Sequence, residues 1–214
     1  MTRSELIAKK INIQIQEWSQ NNEKLVVAID GYAGSGKTTI ADFIGVQNSN
    51  VLVVHLDDFI KHWKTRKLLM KHAVNKSNVF EYEWYRYLEV EKLIRNFKRR
   101  KQGVIKLKTY NFDKNNFDPK RAFDLSKKIL VIDGVFLMHP KHNVSTLCNK
   151  TIYLDVEFET ADKKRIAREK KRWGEHYLPE DHPDNWIQYF KIAYRAYINK
   201  YKPEKHADLV FRID

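Results

Sequence analysis

The segment Gly31-Tyr-Ala-Gly-Ser-Gly-Lys-Thr-Thr39 holds three of the chain's seven glycines, followed by a lysine and two threonines. The spacing Gly31-x-x-x-x-Gly36-Lys37-Thr38 suits a loop that wraps phosphate. Gly34 and Gly36 let the backbone turn and approach phosphate oxygens without a Cβ in the way. Successive N–H groups then point at the anion. The helix that follows adds its positive end. Gly31, Ala33, Gly34, Ser35, Gly36, Lys37, Thr38 and Thr39 are the expected ATP contacts. Lys37 reaches the outer phosphates and Thr38 offers a hydroxyl to Mg²⁺. The segment stands after an apolar strand and before a helix, as a phosphate loop must, and this context disfavours a plain Gly-rich turn.

A phosphate loop does not name a reaction. His55-Leu-Asp-Asp-Phe59 ends the second apolar strand, and ligands of open α/β sheets bind at the carboxyl ends of strands. Transfer of phosphate to an alcohol needs an acceptor for the hydroxyl proton. Asp57 is the candidate base, with Asp58 the alternative, better suited to capping the next segment. Asp133 ends another strand, before Gly134, and suits Mg²⁺, which takes few protein ligands and keeps several waters. In Asp162-Lys-Lys-Arg-Ile-Ala-Arg-Glu-Lys-Lys-Arg172, the side chains Arg165, Arg168 and Arg172 share one helical face. Guanidinium forks match phosphate oxygens, so this helix is expected to act as a lid over about 162–184. A solvated charged helix is the plainer alternative.

Elements must position these groups. Leu25–Ile29, Val51–His55, Val104–Tyr110, Ile129–Asp133, Thr151–Asp155 and Leu209–Ile213 read as strands, several apolar on both faces as in a parallel sheet. Helices are expected from the loop to Phe43-Ile44, over Glu83–Arg100 with Leu88, Leu93, Ile94 and Phe97 inward, over Thr160–Arg172, and over Asp184–Tyr201 with Asp184 as cap and Pro203 as stop. Thr2-x-x-Glu5 resembles a capping box, with Ile7, Ile11, Ile15 and Trp18 on one face of a first helix. The alternation predicts a three-layer α/β/α sandwich with a central, mainly parallel sheet, folded as one domain over 1–214.

Composition narrows the classes. Among the 214 residues there is one cysteine, Cys148, so no intrachain disulfide forms and a reducing cytoplasm fits. No apolar run reaches 18 residues, which argues against a membrane span. No secretory pattern opens the chain. The formal net charge of +13 favours anionic partners. A nucleic-acid-acting protein is one alternative, without a recognition motif or coherent basic stripe to support it. The run Lys98–Lys101 reads as a helix end. A nucleotide-binding regulatory module is another alternative, at odds with the set Lys37, Thr38, Asp57 and Asp133.

Together GYAGSGKTT, LDDF, ILVIDG and RIAREKKR resemble the uridine kinase-like group of P-loop kinases, over about Lys24 to Tyr201. The likeness is greatest to nicotinamide riboside kinases, with Tyr82-Glu83 where that group has Tyr-Asp and with Trp186, Tyr189 and Tyr194-Arg195 in the helix after the lid. The resemblance implies a P-loop NTP hydrolase fold of nucleoside-kinase type. It also implies an ATP- and Mg²⁺-dependent kinase with a small-molecule alcohol as acceptor. By the same likeness Asp57 is the base, Asp133 the Mg²⁺-associated acid where Glu is commoner, and Glu83 a carboxylate for the substrate ribose. Tyr110 resembles the Tyr of the uridine kinase Tyr-Asp motif, with Asn111 in place of Asp. The aromatic segment Phe80–Tyr87 offers rings on which a base can stack.

Overall fold

A computed structural model describes residues 2–99 and 102–213. Arg100 and Lys101, part of the expected helix end, lie outside the described residues. Five strands build the central sheet: β1 (Leu25–Gly31), β2 (Val51–His55), β3 (Ile129–Gly134), β4 (Lys150–Val156) and β5 (Leu209–Ile213). Their order is β2-β3-β1-β4-β5 and every pairing is parallel. β1 and β3 are buried along their whole length, because helices cover both faces and leave no side for polar residues. Register matters for the site. His55 stands opposite Asp133, and Asp30 opposite Gly134, so the carboxyl ends of three neighbouring strands meet at one edge.

The first helix, Arg3–Gln20, begins with the expected capping box. Glu5 N–H donates to Thr2 Oγ1 at 3.3 Å, and Thr2 N–H to Glu5 Oε2 at 2.8 Å. Ile7, Ile11 and Ile15 are buried, while Trp18 is half-buried. Each buried isoleucine contributes about 1.5–3 kcal/mol through apolar area removed from water. The P-loop helix spans Lys37–Gln47.

Several expectations are corrected. The stretch 104–110 is no strand of the central sheet. Val104–Leu107 pairs antiparallel with Arg121–Asp124, and Tyr110–Asn111 with Asn116–Phe117, in two small separate sheets. The helix expected from Glu83 is broken. A π-helical turn covers Val79–Glu83, and the α-helix begins only at Tyr87 and runs to Arg99. Between them residues 84–86 pair with residues 59–61 instead of continuing a helix. Lys61 N–H donates to Trp84 O at 3.0 Å, Arg86 N–H to Phe59 O at 2.7 Å, and Ile60 bridges Tyr85. Backbone groups satisfied across the fold are unavailable to a helical ladder. Leu88 is 70% exposed; Tyr87, Val90, Leu93, Ile94 and Phe97 form the buried stripe. Asp184 is not the cap of the helix Ile187–Tyr201, since Asn185 Oδ1 accepts the Ile187 N–H at 3.0 Å. A helix at Trp63–His72 went unforeseen. The arginine-bearing helix starts at Phe158, earlier than expected, and ends at Trp173.

Candidate active site

A cleft of about 910 Å³ opens over the carboxyl edge of the sheet. Ala33, Gly34, Gly36, Lys37, Thr38 and Thr39 line one end of it. Gly31 and Ser35 are buried behind that lining. Gly34 and Gly36 both have φ of +89°, a backbone state that L side chains rarely adopt. This turn is what lets the loop curl before the helix begins at Lys37. Lys37 is almost fully buried, and its Nζ donates to Tyr32 O at 2.8 Å and to Ser35 Oγ at 3.4 Å. Burial lowers its pKa, against the pull of Asp133, Asp30 and Asp57. The ammonium is thus held folded back onto the loop, within the field of three carboxylates.

Asp133 is buried and central. Thr38 Oγ1 donates to its Oδ2 at 2.9 Å, and His55 Nδ1 bonds its Oδ1. The other imidazole nitrogen, His55 Nε2, lies 3.2 Å from Asp42 Oδ1. Burial alone would lower the His55 pKa; the bond to Asp133 outweighs it and, with Asp58 and Asp42, raises the value to about 9. The imidazole is therefore charged at neutral pH and fixes the Asp133 carboxylate between two donors. No group of three or more His, Cys, Asp or Glu among the described residues converges on a metal position. The oxygens of Thr38 and Asp133 suit Mg²⁺, which takes one or two carboxylates and fills its octahedron with phosphate and water. The donor set therefore fits the ion that the loop implies.

Asp57 lines the cleft and accepts a hydrogen bond from the Tyr85 hydroxyl at 3.1 Å. Asp57 is exposed to solvent at the cleft, but the protein around its carboxylate still removes enough water to raise its pKa. Asp133 adds to the rise, while Lys37, Tyr85 and Arg168 oppose it. Asp58, the alternative, is tied to Arg121 NH1 at 2.7 Å. The neighbours Asp57 and Asp58 thus differ in partner: one faces a neutral hydroxyl, the other a guanidinium.

The three arginines of helix Phe158–Trp173 all line the cleft but are not equivalent. Arg165 is 2% exposed and turned onto acids: Glu169 at 2.8 Å, Asp162 at 3.3 Å, and Glu180. It braces the segment around residue 180 against the helix. Arg172 lies 3.5 Å from Asp113. Among the described residues Arg168 has no carboxylate partner, and its charge acts on both Asp57 and Lys37.

The remaining expectations divide. Tyr82 and Glu83 are not among the residues lining the cleft. Tyr82 donates to Glu81 Oε1 at 2.8 Å and packs edge-on to His139, and Glu83 is exposed. The break at residues 84–86 brings Trp84 and Tyr85 to the cleft in their place. Tyr110 stands one layer behind, its hydroxyl accepting from Arg66 NH2 at 3.0 Å and bonding Asn115. Trp186, expected within the helix after the lid, stands just before its start at Ile187 and lines the cleft, edge-on to Trp84 with centroids 6.1 Å apart. His55 and Arg66 were not foreseen at the cleft, and Tyr85 was foreseen only as part of the aromatic segment Phe80–Tyr87, not as the partner of Asp57. His55 carried a signal, since it closes a strand directly before the acidic pair. Arg66 carried none, because an unforeseen helix places it, and the contact of Tyr85 with Asp57 carried none, because a helix break sets it.

A parallel sheet whose first strand feeds a phosphate loop, with acids at the next strand ends, defines the class as a P-loop kinase fold. The chain belongs to the phosphoribulokinase/uridine kinase family, whose model matches residues 26–213. It is 25% identical over 202 residues to uridine kinase-like protein 3 of Arabidopsis thaliana, covering 92% of this chain but 41% of that protein's length. It is 22% identical over 193 residues to a uridine kinase of Staphylococcus epidermidis, covering 88% of this chain and 87% of that one. A solved structure described as a possible uridine kinase from Bacillus stearothermophilus superposes with a TM-score of 0.64 at 23% identity, over 94% of this chain and 99% of that chain. At that identity the superposition speaks for the fold. No helix among the described residues is long and apolar enough to cross a membrane.

Proposed function

We propose that the chain transfers the γ-phosphoryl group of ATP to a hydroxyl of a nucleoside-like small molecule. One observation carries this reading: the Asp57 carboxylate, held by Tyr85, opens into the same cleft as the phosphate loop. The acceptor oxygen bonds the γ-phosphorus, the bond from that phosphorus to the β–γ bridging oxygen breaks, and ADP leaves. Asp57 accepts the hydroxyl proton. Burial and Asp133 raise its pKa, which makes the carboxylate a stronger base for that task. Lys37 and Arg168 neutralise phosphate charge as the bond breaks. Mg²⁺, held by Thr38 and through Asp133, supplies Lewis-acid neutralisation of the phosphate oxygens when bound.

The helix from Phe158, with the turn after it, is proposed as the lid, over about 162–184. Arg165 serves it as a brace and Arg172 at its rim. Phe80, Trp84 and Trp186 give the cleft aromatic walls, which support a nucleoside-like acceptor. The whole chain is proposed to act as one domain, in a reducing cytoplasmic setting that the single Cys148 fits. The test is ADP release across a panel of alcohols, with Asp57→Asn beside the native chain. Loss of the base is expected to lower kcat about 10²–10⁴-fold while ATP still binds. An Asp57→Asn variant that keeps most of its turnover refutes the assignment.

A further inference from the structure

Arg66 is the cationic residue of the cleft whose surroundings the reaction above does not use. It lies in the helix Trp63–His72 and lines the cleft beside Trp84 and Tyr85. Its guanidinium carbon stands 5.0 Å from the centroid of the Trp84 ring and 5.2 Å from that of the Tyr110 ring. NH2 donates to the Tyr110 hydroxyl at 3.0 Å. Nε is buried and makes no hydrogen bond. Among the described residues no carboxylate pairs with Arg66. The contrast with its neighbours is sharp. Arg165 is bound to three acids, Arg86 to Glu89 at 2.5 Å, and Arg121 to Asp58 at 2.7 Å.

A half-buried guanidinium normally finds charged acceptors for its fork, since desolvating it unpaired is costly. Aromatic rings compensate only in part. No described residue supplies that anion, which leaves a bound ligand to do so. Position says which one. Trp84 and Tyr85 are consecutive: the first lies against Arg66, and the second holds Asp57. Burial and Asp57 push the Tyr85 hydroxyl well above its ordinary pKa, and Arg66 opposes them. Arg168 and Lys37, by contrast, act directly on Asp57 from the phosphate-loop end. The Arg66 charge thus stands next to the acceptor's side of the base, apart from the cations assigned to ATP.

We infer that the acceptor alcohol carries an anionic group, a carboxylate or a phosphate, that pairs with Arg66. This rests on the kinase reading above and sharpens it, from a nucleoside-like alcohol to an acidic one. Arg66 is a specificity-determining residue here, and its fork selects an oxyanion over a neutral hydroxyl.

The experiment compares matched acceptors with ATP, read by ADP release: glycerol with D-glycerate, ribose with ribose 5-phosphate, and uridine with uridine 3′-monophosphate. The expected result is a higher kcat/KM for the charged member in at least one pair. In Arg66→Gln the KM for that acceptor rises about 10–100-fold, as for a lost hydrogen bond to a charged group, with KM for ATP unchanged. Arg66→Lys keeps the charge without the fork and gives an intermediate KM, which separates recognition from a folding defect. Equal or higher kcat/KM for every neutral member overturns the inference. So does an Arg66→Gln change that falls on kcat and the ATP KM instead. If no acceptor releases ADP, the kinase reading fails on this panel, and calorimetry of the same six compounds on the ADP-loaded protein still decides the point. Tighter binding of a charged member, lost in Arg66→Gln, supports the inference; no preference for charge overturns it.

Discussion

Gly34 and Gly36 share a φ of +89°, so alanine at either position meets the same backbone penalty, about 1–2 kcal/mol. Their surroundings separate them. A Cβ on Gly36 would meet nothing nearer than Ser4 Oγ at 3.9 Å, an ordinary contact. A Cβ on Gly34 would stand 2.3 Å from the Ala161 carbonyl oxygen and 3.0 Å from its carbon. Both are backbone atoms of the helix Phe158–Trp173, which must shift as a body. Forced overpacking adds roughly 1–3 kcal/mol. Gly36→Ala is therefore expected to cost about 1–2 kcal/mol, and Gly34→Ala about 2–5 kcal/mol. For a chain of this size 1 kcal/mol lowers Tm by about 2–4 °C. Thermal unfolding followed by circular dichroism, at one scan rate, should place Gly36→Ala roughly 2–8 °C below the native chain and Gly34→Ala further down. The displaced helix carries Arg168, so Gly34→Ala should also raise the KM for ATP more than Gly36→Ala does. Equal melting of the two variants, or a more stable Gly34→Ala, would refute a loop packed directly on the arginine-bearing helix.

Two further predictions concern the acids. Asp57 must be ionised to accept a proton, so kcat/KM is lost as pH falls through its pKa, which burial places above the ordinary carboxylate value of 3.8. The Tyr85 hydroxyl bonds the charged form and holds that pKa down. Tyr85→Phe should therefore move the acid limb of the pH–rate profile upward, and an unmoved or lowered limb would count against Asp57 as the base. At His55 the two nitrogens can be replaced separately. His55→Asn keeps an N–H where Nδ1 meets Asp133, and His55→Gln keeps one where Nε2 meets Asp42. If the Asp133 contact orients the metal-associated acid, half-maximal activity should need about 10-fold more Mg²⁺ in the Gln variant, with the Asn variant near the native chain. Equal Mg²⁺ dependence in both variants would remove that role.

The phosphate loop was legible because its signal is local. Glycines at fixed offsets, a lysine and a threonine between a strand and a helix need only one another. Asp57 and Asp133 were legible for a related reason: strand periodicity places their ends, and parallel register brings the ends together. The capping box from Thr2 to Glu5 is likewise local, spanning four residues. On the side of the cleft proposed for the acceptor, only the aromatic segment Phe80–Tyr87 was legible. Tyr82-Glu83 sits in a stretch with good helical pattern, and reading it as a helix start aims the wrong residues inward. Residues 84–86 instead satisfy their backbone groups against residues 59–61, twenty-odd positions away in the chain. That single exchange of partners swaps Tyr82 and Glu83 for Trp84 and Tyr85 in the cleft.

The arginine face shows the same division. Spacing put Arg165, Arg168 and Arg172 on one side of a helix, and they do share the cleft. Which of them is free to face phosphate depends on Asp162, Glu169, Glu180 and Asp113, two of which come from other segments. The sequence by itself determined the donor end of the site: the loop, the strand-end acids and the parallel sheet that carries them. Tertiary structure alone decided the end proposed for the acceptor, because pairing between distant segments sets which side chains point inward and which charges are already spent.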